Sequence, residues 1–264
     1  MCRDCACGQP DPEHPAAHAP ERPGEEDSAI RTLPLHTALL QRNDAQASAL
    51  RQRFAAAGVR AVNLLSSPGS GKTALLEALA RRLAQLGGDP DRLAVVVGDL
   101  ATDNDARRLQ AAGLAAAAIT TGQACHLEAA MVAEGLHRLH HQGVELEQLE
   151  LLVIENVGNL VCPGAYDLGE SLRVVLVSTT EGEDKPLKYA PIFHGAHLVL
   201  ITKIDLAAAV EFDRAAAHAA ISRVAPQARV LETSARTGAG LDALLALLGL
   251  SPTAVPATVP ALVP

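Results

Sequence analysis

From residue 59 onward, short runs that are apolar throughout alternate with longer runs that are apolar on one side only, and no other feature restricts the fold as strongly. VRAVNLLSS (59–67), RLAVVVGDL (92–100), LAAAAIT (114–120), LELLVIENVGN (149–159), SLRVVLVST (171–179), HLVLITKIDL (197–206) and ARVLETSA (228–235) read as strands. Between them, KTALLEALARRLAQLGG (72–88), DNDARRLQAAG (103–113), CHLEAAMVAEGLHRLHHQG (125–143), EFDRAAAHAAISRVA (211–225) and GLDALLALLGL (240–250) read as helices. Strands without a polar face must be covered on both sides. The expected architecture is therefore an α/β doubly wound, mostly parallel sheet with helices on both faces. A further Ala/Leu/Gln/Arg helix is expected from Leu35 to Ala57, closed by Gly58.

At 264 residues and 48% hydrophobic, the chain can bury a full-sized core, but with 2% aromatics and no Trp that core must be aliphatic. Residues 9–34 carry six prolines and several acids, which cannot offset ordering entropy, so this segment reads as a flexible linker. The domains expected are a terminal motif (1–8), that linker, a main domain (35–250) and a Pro-rich tail (251–264). The net charge of −8, without a basic stripe, gives nucleic-acid binding no electrostatic support. No stretch approaches the roughly 20 apolar residues that span a bilayer, and the N-terminus lacks the apolar region of a signal peptide. The expectation is a cytoplasmic protein, with neither nucleic acid nor membrane as a partner.

SSPGSGKT (66–73) lies between a strand and a helix and fits the P-loop pattern, with Ser66 where the first Gly usually stands. Gly69 and Gly71 would let backbone N–H groups turn inward around phosphate oxygens, with Pro68 and Ser70 in the same nucleotide-binding loop. Lys72 would reach the β- and γ-phosphates, and the Thr73 hydroxyl would ligate Mg²⁺. TKID (202–205) follows a strand where such a sheet places ligand-facing loops. There Asp205 can accept from the N1–H and N2–H₂ of guanine, which adenine cannot supply, and the Lys203 stem can lie along the base. Ser234 and Ala235 of TSAR would bring backbone N–H groups to the guanine O6. GTP and GDP are the expected nucleotides.

Asp99 and Glu155 each follow an apolar strand and are candidates to hold Mg²⁺ or to orient the attacking water. Gly158 stands after Glu155 at the spacing of a D-x-x-G switch, with Glu in place of Asp. Asp103 and Asp105 read instead as helix caps, and Gln123 is an unanchored candidate for positioning water. Hydrolysis is expected to be slow, because neither an arginine finger nor a water-orienting glutamine is evident.

The cysteines form two groups. Cys2, Cys5 and Cys7 crowd the terminus, where three thiolates and a main-chain nitrogen can make a compact metal site. Planar N,S coordination there would suit Ni(II), whereas Zn²⁺ asks for a tetrahedron. Cys125 and His126 are adjacent at an expected helix start, where neighbours project about 100° apart and chelate poorly without a third ligand. Cys162 is the candidate third ligand. Buried, unliganded thiols remain the alternative for this second group. His137, His140 and His141 read as a solvated helix face. A thiol redox role for the terminal cysteines lacks the βαβ setting it would need.

Taken in order, CxxCxC, SSPGSGKT, GDLATDND, TGQACHLEA, ENVGNLVCPGAYDLGE, EGEDKPLKY and TKID resemble the HypB family, the GTPases of nickel–iron hydrogenase maturation. The resemblance covers about residues 35–250 plus the terminal motif. It implies a SIMIBI-class P-loop GTPase with slow turnover and GTP-favoured homodimerisation, which delivers Ni²⁺ to the hydrogenase large subunit. It also implies work with the nickel/zinc protein HypA and, in some bacteria, the chaperone SlyD. Cys2, Cys5 and Cys7 then correspond to a terminal nickel site. Cys125, His126 and Cys162 correspond to a Ni²⁺ or Zn²⁺ site in the GTPase domain, near the dimer interface. The polyhistidine stretch of many relatives is missing, with only His14 and His18 in the linker. Lys185 falls in EGEDKPLKY, where its ammonium would reach a phosphate across a dimer. The urease nickel GTPases are the alternative family, and a nickel-sequestering protein with a vestigial GTPase is the alternative role. Intact Lys72, Thr73 and Asp205 count against the latter.

Overall fold

A computed structural model describes the backbone of residues 25–250 and the side chains of residues 37–250. Cys2, Cys5 and Cys7, the linker up to residue 24 and the Pro-rich tail lie outside the described residues. The chain divides into two units, Met1–Leu39 and Leu40–Pro264, and the second contains the sheet and every site whose geometry is described below.

The strands are β1 (Arg60–Ser66), β2 (Leu93–Asp99), β3 (Ala115–Thr120), β4 (Leu151–Glu155), β5 (Leu172–Ser178), β6 (Leu198–Thr202) and β7 (Arg229–Glu232). They form one sheet in the order β3-β2-β4-β1-β5-β6-β7. Every pairing is parallel, so the sheet is wholly parallel where a mostly parallel one was expected. The helices are α1 (Glu25–Ala57), α2 (Lys72–Gln85), α3 (Asn104–Ala111), α4 (Ala129–His141), α5 (Lys185–Lys188), α6 (Ala190–His194), α7 (Arg214–Val224) and α8 (Leu241–Leu248). No helix among the described residues is long and apolar enough to cross a membrane.

Side-chain alternation along the strands builds two cores. Val62 and Leu64 of β1 face α2, α3 and α8, packing with Leu79, Leu109 and Leu245. On the opposite face, Ala61 meets Phe54 and Val132 from α1 and α4, while Leu65 meets Phe193 and Ile221 from α6 and α7. Each fully buried Leu, Val or Phe contributes about 1.5–3 kcal/mol relative to exposure. The aliphatic composition is thus sufficient because both faces are used.

Three local expectations are corrected. The helix expected from Leu35 begins at Glu25, so residues 25–34 are helical rather than linker. The strand expected over 197–206 ends at Thr202, because Lys203 adopts a left-handed conformation (φ 56°) before a short 3-10 turn, Ile204–Leu206. The helix expected from Cys125 begins only at Ala129, whose N–H donates to Asn43 Oδ1 at 2.9 Å. That cap comes from α1, 86 positions away, and it leaves Cys125 and His126 in a loop.

Candidate functional site

Parallel pairing brings the carboxyl ends of all strands to one edge, where the loops after β1, β2, β4, β5, β6 and β7 converge. The loop after β1 turns through Gly69 (φ 73°) and Gly71 (φ 96°) into α2. Only glycine enters that region without cost. Ser66 needs no such freedom, since Lys203 and Glu211 are the positive-φ non-glycine residues of the described chain. The Ser66 hydroxyl instead donates to Ser67 O at 2.7 Å and accepts from Lys72 Nζ at 2.9 Å. It parks the ammonium inside the loop.

Thr73 Oγ1 donates to Glu155 Oε1 at 2.8 Å, linking the start of α2 to the end of β4. Glu155 is 3% exposed, and its second oxygen, Oε2, is buried without a hydrogen-bond partner. A hydroxyl and an unpartnered carboxylate oxygen are hard donors, which suit Mg²⁺. Burial pushes the Glu155 carboxyl up to about 7, against the pull of the Lys72 charge and the Thr73 donor. Burial likewise lowers the Lys72 pKa, with Glu155 the main opposing charge.

The raised Glu155 pKa has a consequence for stability. Between about 4.5 and about 7 the folded chain retains a proton that the unfolded chain has lost, so this group's contribution falls as pH rises. The expected loss is on the order of 3–4 kcal/mol, at about 1.4 kcal/mol per pKa unit. Denaturant unfolding of nucleotide-free protein and Glu155→Gln across this range checks it. The stability of the native chain should fall relative to the variant as pH rises, and parallel curves would contradict it.

Asp99, at the end of β2, uses Oδ1 to accept from the N–H groups of Ala101 (2.9 Å) and Thr102 (2.7 Å) and from Thr102 Oγ1 (3.2 Å). Burial opposes its ionisation, but these donors outweigh it and hold the carboxyl below the ordinary range. Asp103 precedes α3 yet makes no side-chain capping bond, pairing instead with Arg107. Asp105 pairs with Arg108, and Gln123 is exposed.

At the base-reading end, Asp205 Oδ1 accepts from Ser234 Oγ at 2.6 Å, and Oδ2 lies 3.4 Å from Arg236 Nε. Lys203 Nζ donates to Gly69 O at 2.8 Å, and Thr202 Oγ1 to Ser70 O at 2.8 Å. The β6 end is thereby fastened to the loop after β1. Ala235 follows Ser234 in the same turn after β7. Glu181 escaped the sequence reading: its Oε1 accepts from Ser70 Oγ at 2.5 Å while Oε2 is buried without a hydrogen bond. Lys185 Nζ is 3.9 Å from that Oε2 and 5.1 Å from the Tyr189 ring centroid. The EGEDKPLKY string was the available signal, but it does not show that its first acid turns inward.

A second constellation lies beside the first. Ligand atoms of Cys125, His126 and Cys162 all fall within 4.8 Å of one another. Cys125 Sγ is 3.8 Å from His126 Nδ1, and the two cysteines are free. The Cys162 thiol beside it is the main cause that raises the Cys125 thiol, with burial adding to the effect. Burial lowers the His126 pKa against the pull of Glu128, favouring the neutral imidazole that binds metals. His126 Nε2 is buried without a hydrogen bond, 3.7 Å from Glu128 Oε1. Its ring stacks on Tyr166, with centroids 3.8 Å apart and planes at 24°. Tyr166 was not singled out in the sequence, where nothing in CPGAYDLGE distinguishes it.

Side-chain amides join the two constellations. Asn156, next to Glu155, accepts at Oδ1 from Leu127 N (3.1 Å) and Val157 N (3.0 Å). Asn159 donates to Cys125 O at 3.2 Å. Between them, a Cβ on Gly158 would sit 2.9 Å from Pro68 Cα, so this segment runs directly against the loop after β1.

Comparison with known proteins bears on the family and the fold. Residues 60–232 match the family model described as CobW/HypB/UreG, nucleotide-binding domain. The hydrogenase maturation factor HypB of Azotobacter vinelandii is 47% identical over 232 residues, spanning 87% of this chain and 71% of that protein. The hydrogenase/urease maturation factor HypB of Helicobacter hepaticus is 46% identical, spanning 67% of this chain and 70% of that protein. Among solved structures, HypB from Helicobacter pylori in complex with nickel superposes with a TM-score of 0.73 at 39% identity, covering 78% of this chain and 93% of that one.

Proposed function

Because the chain belongs to the CobW/HypB/UreG nucleotide-binding family, among the HypB hydrogenase maturation factors, we propose that it is a GTP-hydrolysing nickel metallochaperone. It binds GTP with Mg²⁺, converts it slowly to GDP and phosphate, and holds Ni²⁺ for insertion into the nickel–iron hydrogenase large subunit. Lys72 and the backbone N–H groups of Gly69–Thr73, in the loop opened by Pro68, would hold the phosphates, with Thr73, Glu155 and Asp99 around the Mg²⁺. When bound, that ion neutralises charge on the phosphates. Asp205, Lys203, Ser234 and Ala235 would read the guanine.

Cys125, His126 and Cys162 would carry the nickel or, in its place, Zn²⁺, since thiolate and imidazole ligands accept both. Three protein ligands leave a position open for transfer. Cys2, Cys5 and Cys7 would load Ni²⁺ at the terminus. Exposed Leu100 (46%), Val161 (69%) and Leu187 (43%) follow Asp99, precede Cys162 and lie in α5, respectively. Apolar side chains at those places support a nucleotide-dependent homodimer formed over this edge. A HypA-type protein and, in some settings, SlyD would be its partners, in the cytoplasm. Urease is a second possible acceptor, supported by the double name of the Helicobacter hepaticus relative.

One observation carries the coupling of nucleotide to nickel: the segment from Glu155, which holds Thr73, through Asn156, which holds the backbone next to His126, to the ligand Cys162. A change at Thr73 on hydrolysis would move ligands at both ends of the triad. Ni²⁺ affinity measured with GDP and with a non-hydrolysable GTP analogue should differ about fivefold or more, within the usual range of coupling energies. In Asn156→Ala, and in the milder Asn159→Ala, that difference should shrink toward one while GTP binding persists. Equal Ni²⁺ affinity with both nucleotides in the native chain would refute the coupling.

A further inference from the structure

The last turns of α4 carry imidazoles that the nickel triad does not use. His137 and His141 are four positions apart, so they stand one above the other on a single helix face. Their Nε2 atoms are 3.0 Å apart, with ring centroids at 4.3 Å and planes at 78°. Both residues are exposed. At that separation only one hydrogen fits between the nitrogens, so at least one lone pair faces the gap.

A metal–imidazole bond is about 2.0–2.1 Å long. A cation equidistant from two nitrogens 3.0 Å apart would therefore subtend roughly 90–100° between them. That is closer to the right angle of square-planar or octahedral coordination than to a tetrahedron. We propose that His137 and His141 form a surface chelate for a divalent cation of the Ni²⁺/Cu²⁺ class, independent of the thiol sites.

The surroundings favour a cation. The pair sits at the C-terminal end of α4, where the helix carbonyls present partial negative charge. His137 borders a cavity of about 220 Å³ that Glu145 and Glu147 also line. Two guanidiniums are close by: Arg53 lines the same cavity, and Arg138, next to His137 in the chain, is bound to Glu134 (3.0 Å) and to Ala118 O (2.6 Å). His140 is engaged elsewhere, with Nδ1 at 3.0 Å from Glu145 Oε1, which leaves two imidazoles to share the ion. Ala129 to His137 is roughly 12 Å along the helix axis, at 1.5 Å per residue. The chelate therefore stands apart from the loop of Cys125 and His126.

Equilibrium dialysis of the full-length chain, with its thiols alkylated, against Ni²⁺ and separately Cu²⁺ tests the proposal. The native sequence should retain one cation per chain at this site. His137→Ala and His141→Ala should each weaken that binding by about tenfold or more, while His140→Ala leaves it unchanged. The Cu²⁺-loaded native chain should show hyperfine splitting from two nitrogens, lost in either variant. The same measurement on unalkylated protein should show one fewer cation per chain in the double variant, whatever alkylation does to the fold. An unchanged cation count in His137→Ala/His141→Ala, or an equal loss in His140→Ala, overturns the proposal.

Discussion

Lys72→Ala is expected to lower GTP turnover by about a hundred- to a thousandfold, the usual effect of removing one charged donor from a phosphoryl-transfer site. Lys72 is 8% exposed and held by Ser66 Oγ at 2.9 Å, so its ammonium is already dehydrated and positioned before any nucleotide arrives. Water cannot replace it in a space that narrow. Burial raises the Glu155 carboxyl, and the Lys72 charge is the main influence holding it down. The variant should therefore also shift the Glu155 titration upward. Single-turnover GTP hydrolysis and Ni²⁺ binding at Cys2, Cys5 and Cys7 are the measurements. Terminal nickel affinity should be retained, and simultaneous loss of both activities would sink the separation into a loading arm and a GTPase.

Asp205→Asn is expected to lower GTP affinity about a hundredfold, since it replaces two charge-assisted hydrogen bonds worth about 1.5–3 kcal/mol each with a mismatched amide. The carboxylate is oriented by Ser234 Oγ at 2.6 Å, so its direction is set in advance rather than by the base. The Asn amide would present a donor where guanine presents its exocyclic amine, and that donor matches the carbonyl of xanthine. Competition of GTP, XTP and ATP against a fluorescent nucleotide reads the result. XTP should overtake GTP in the variant, and an unchanged order of preference would remove Asp205 from the base site.

The two outcomes probe opposite ends of one nucleotide site and differ in how readily the sequence reveals them. The loop carrying Lys72 is legible because its glycines, its Lys-Thr pair and its strand–helix setting are all local. Asp205 is legible only in combination with that loop, because TKID is a short string. Its geometry was less so: Lys203 leaves the strand in a left-handed conformation and reaches back to Gly69 O, a contact spanning 134 positions. Glu181 was invisible as a buried partner of Ser70. An acid in a glycine-flanked turn reads as solvated until the chain places it against the loop after β1.

The cluster of Cys125, His126 and Cys162 shows the same division. Cys125 and His126 were assigned to a helix because their neighbours Leu127–Ala133 have helical composition, and local propensity gave no reason to delay its start. The delay comes from Asn43 of α1, which caps Ala129, and from Asn156, which holds Leu127 N. A loop frees the two side chains from the fixed 100° offset of helical neighbours. Asp103 failed in the opposite sense, since a residue suited to capping found Arg107 instead.

Periodicity and short motifs were sufficient for the element types, the two-faced parallel sheet and the edge where ligands gather, because those depend on residues within a turn or a strand of each other. Convergence needed the folded chain. The strand order places β4 between β2 and β1, and so carries Glu155 to Thr73 and Cys162 to Cys125 and His126. Desolvation of Glu155 and the stacking of Tyr166 on His126 likewise depend on where side chains come to rest. Burial and distance belong to the packed molecule, whereas spacing along the chain records only which groups are available to be packed.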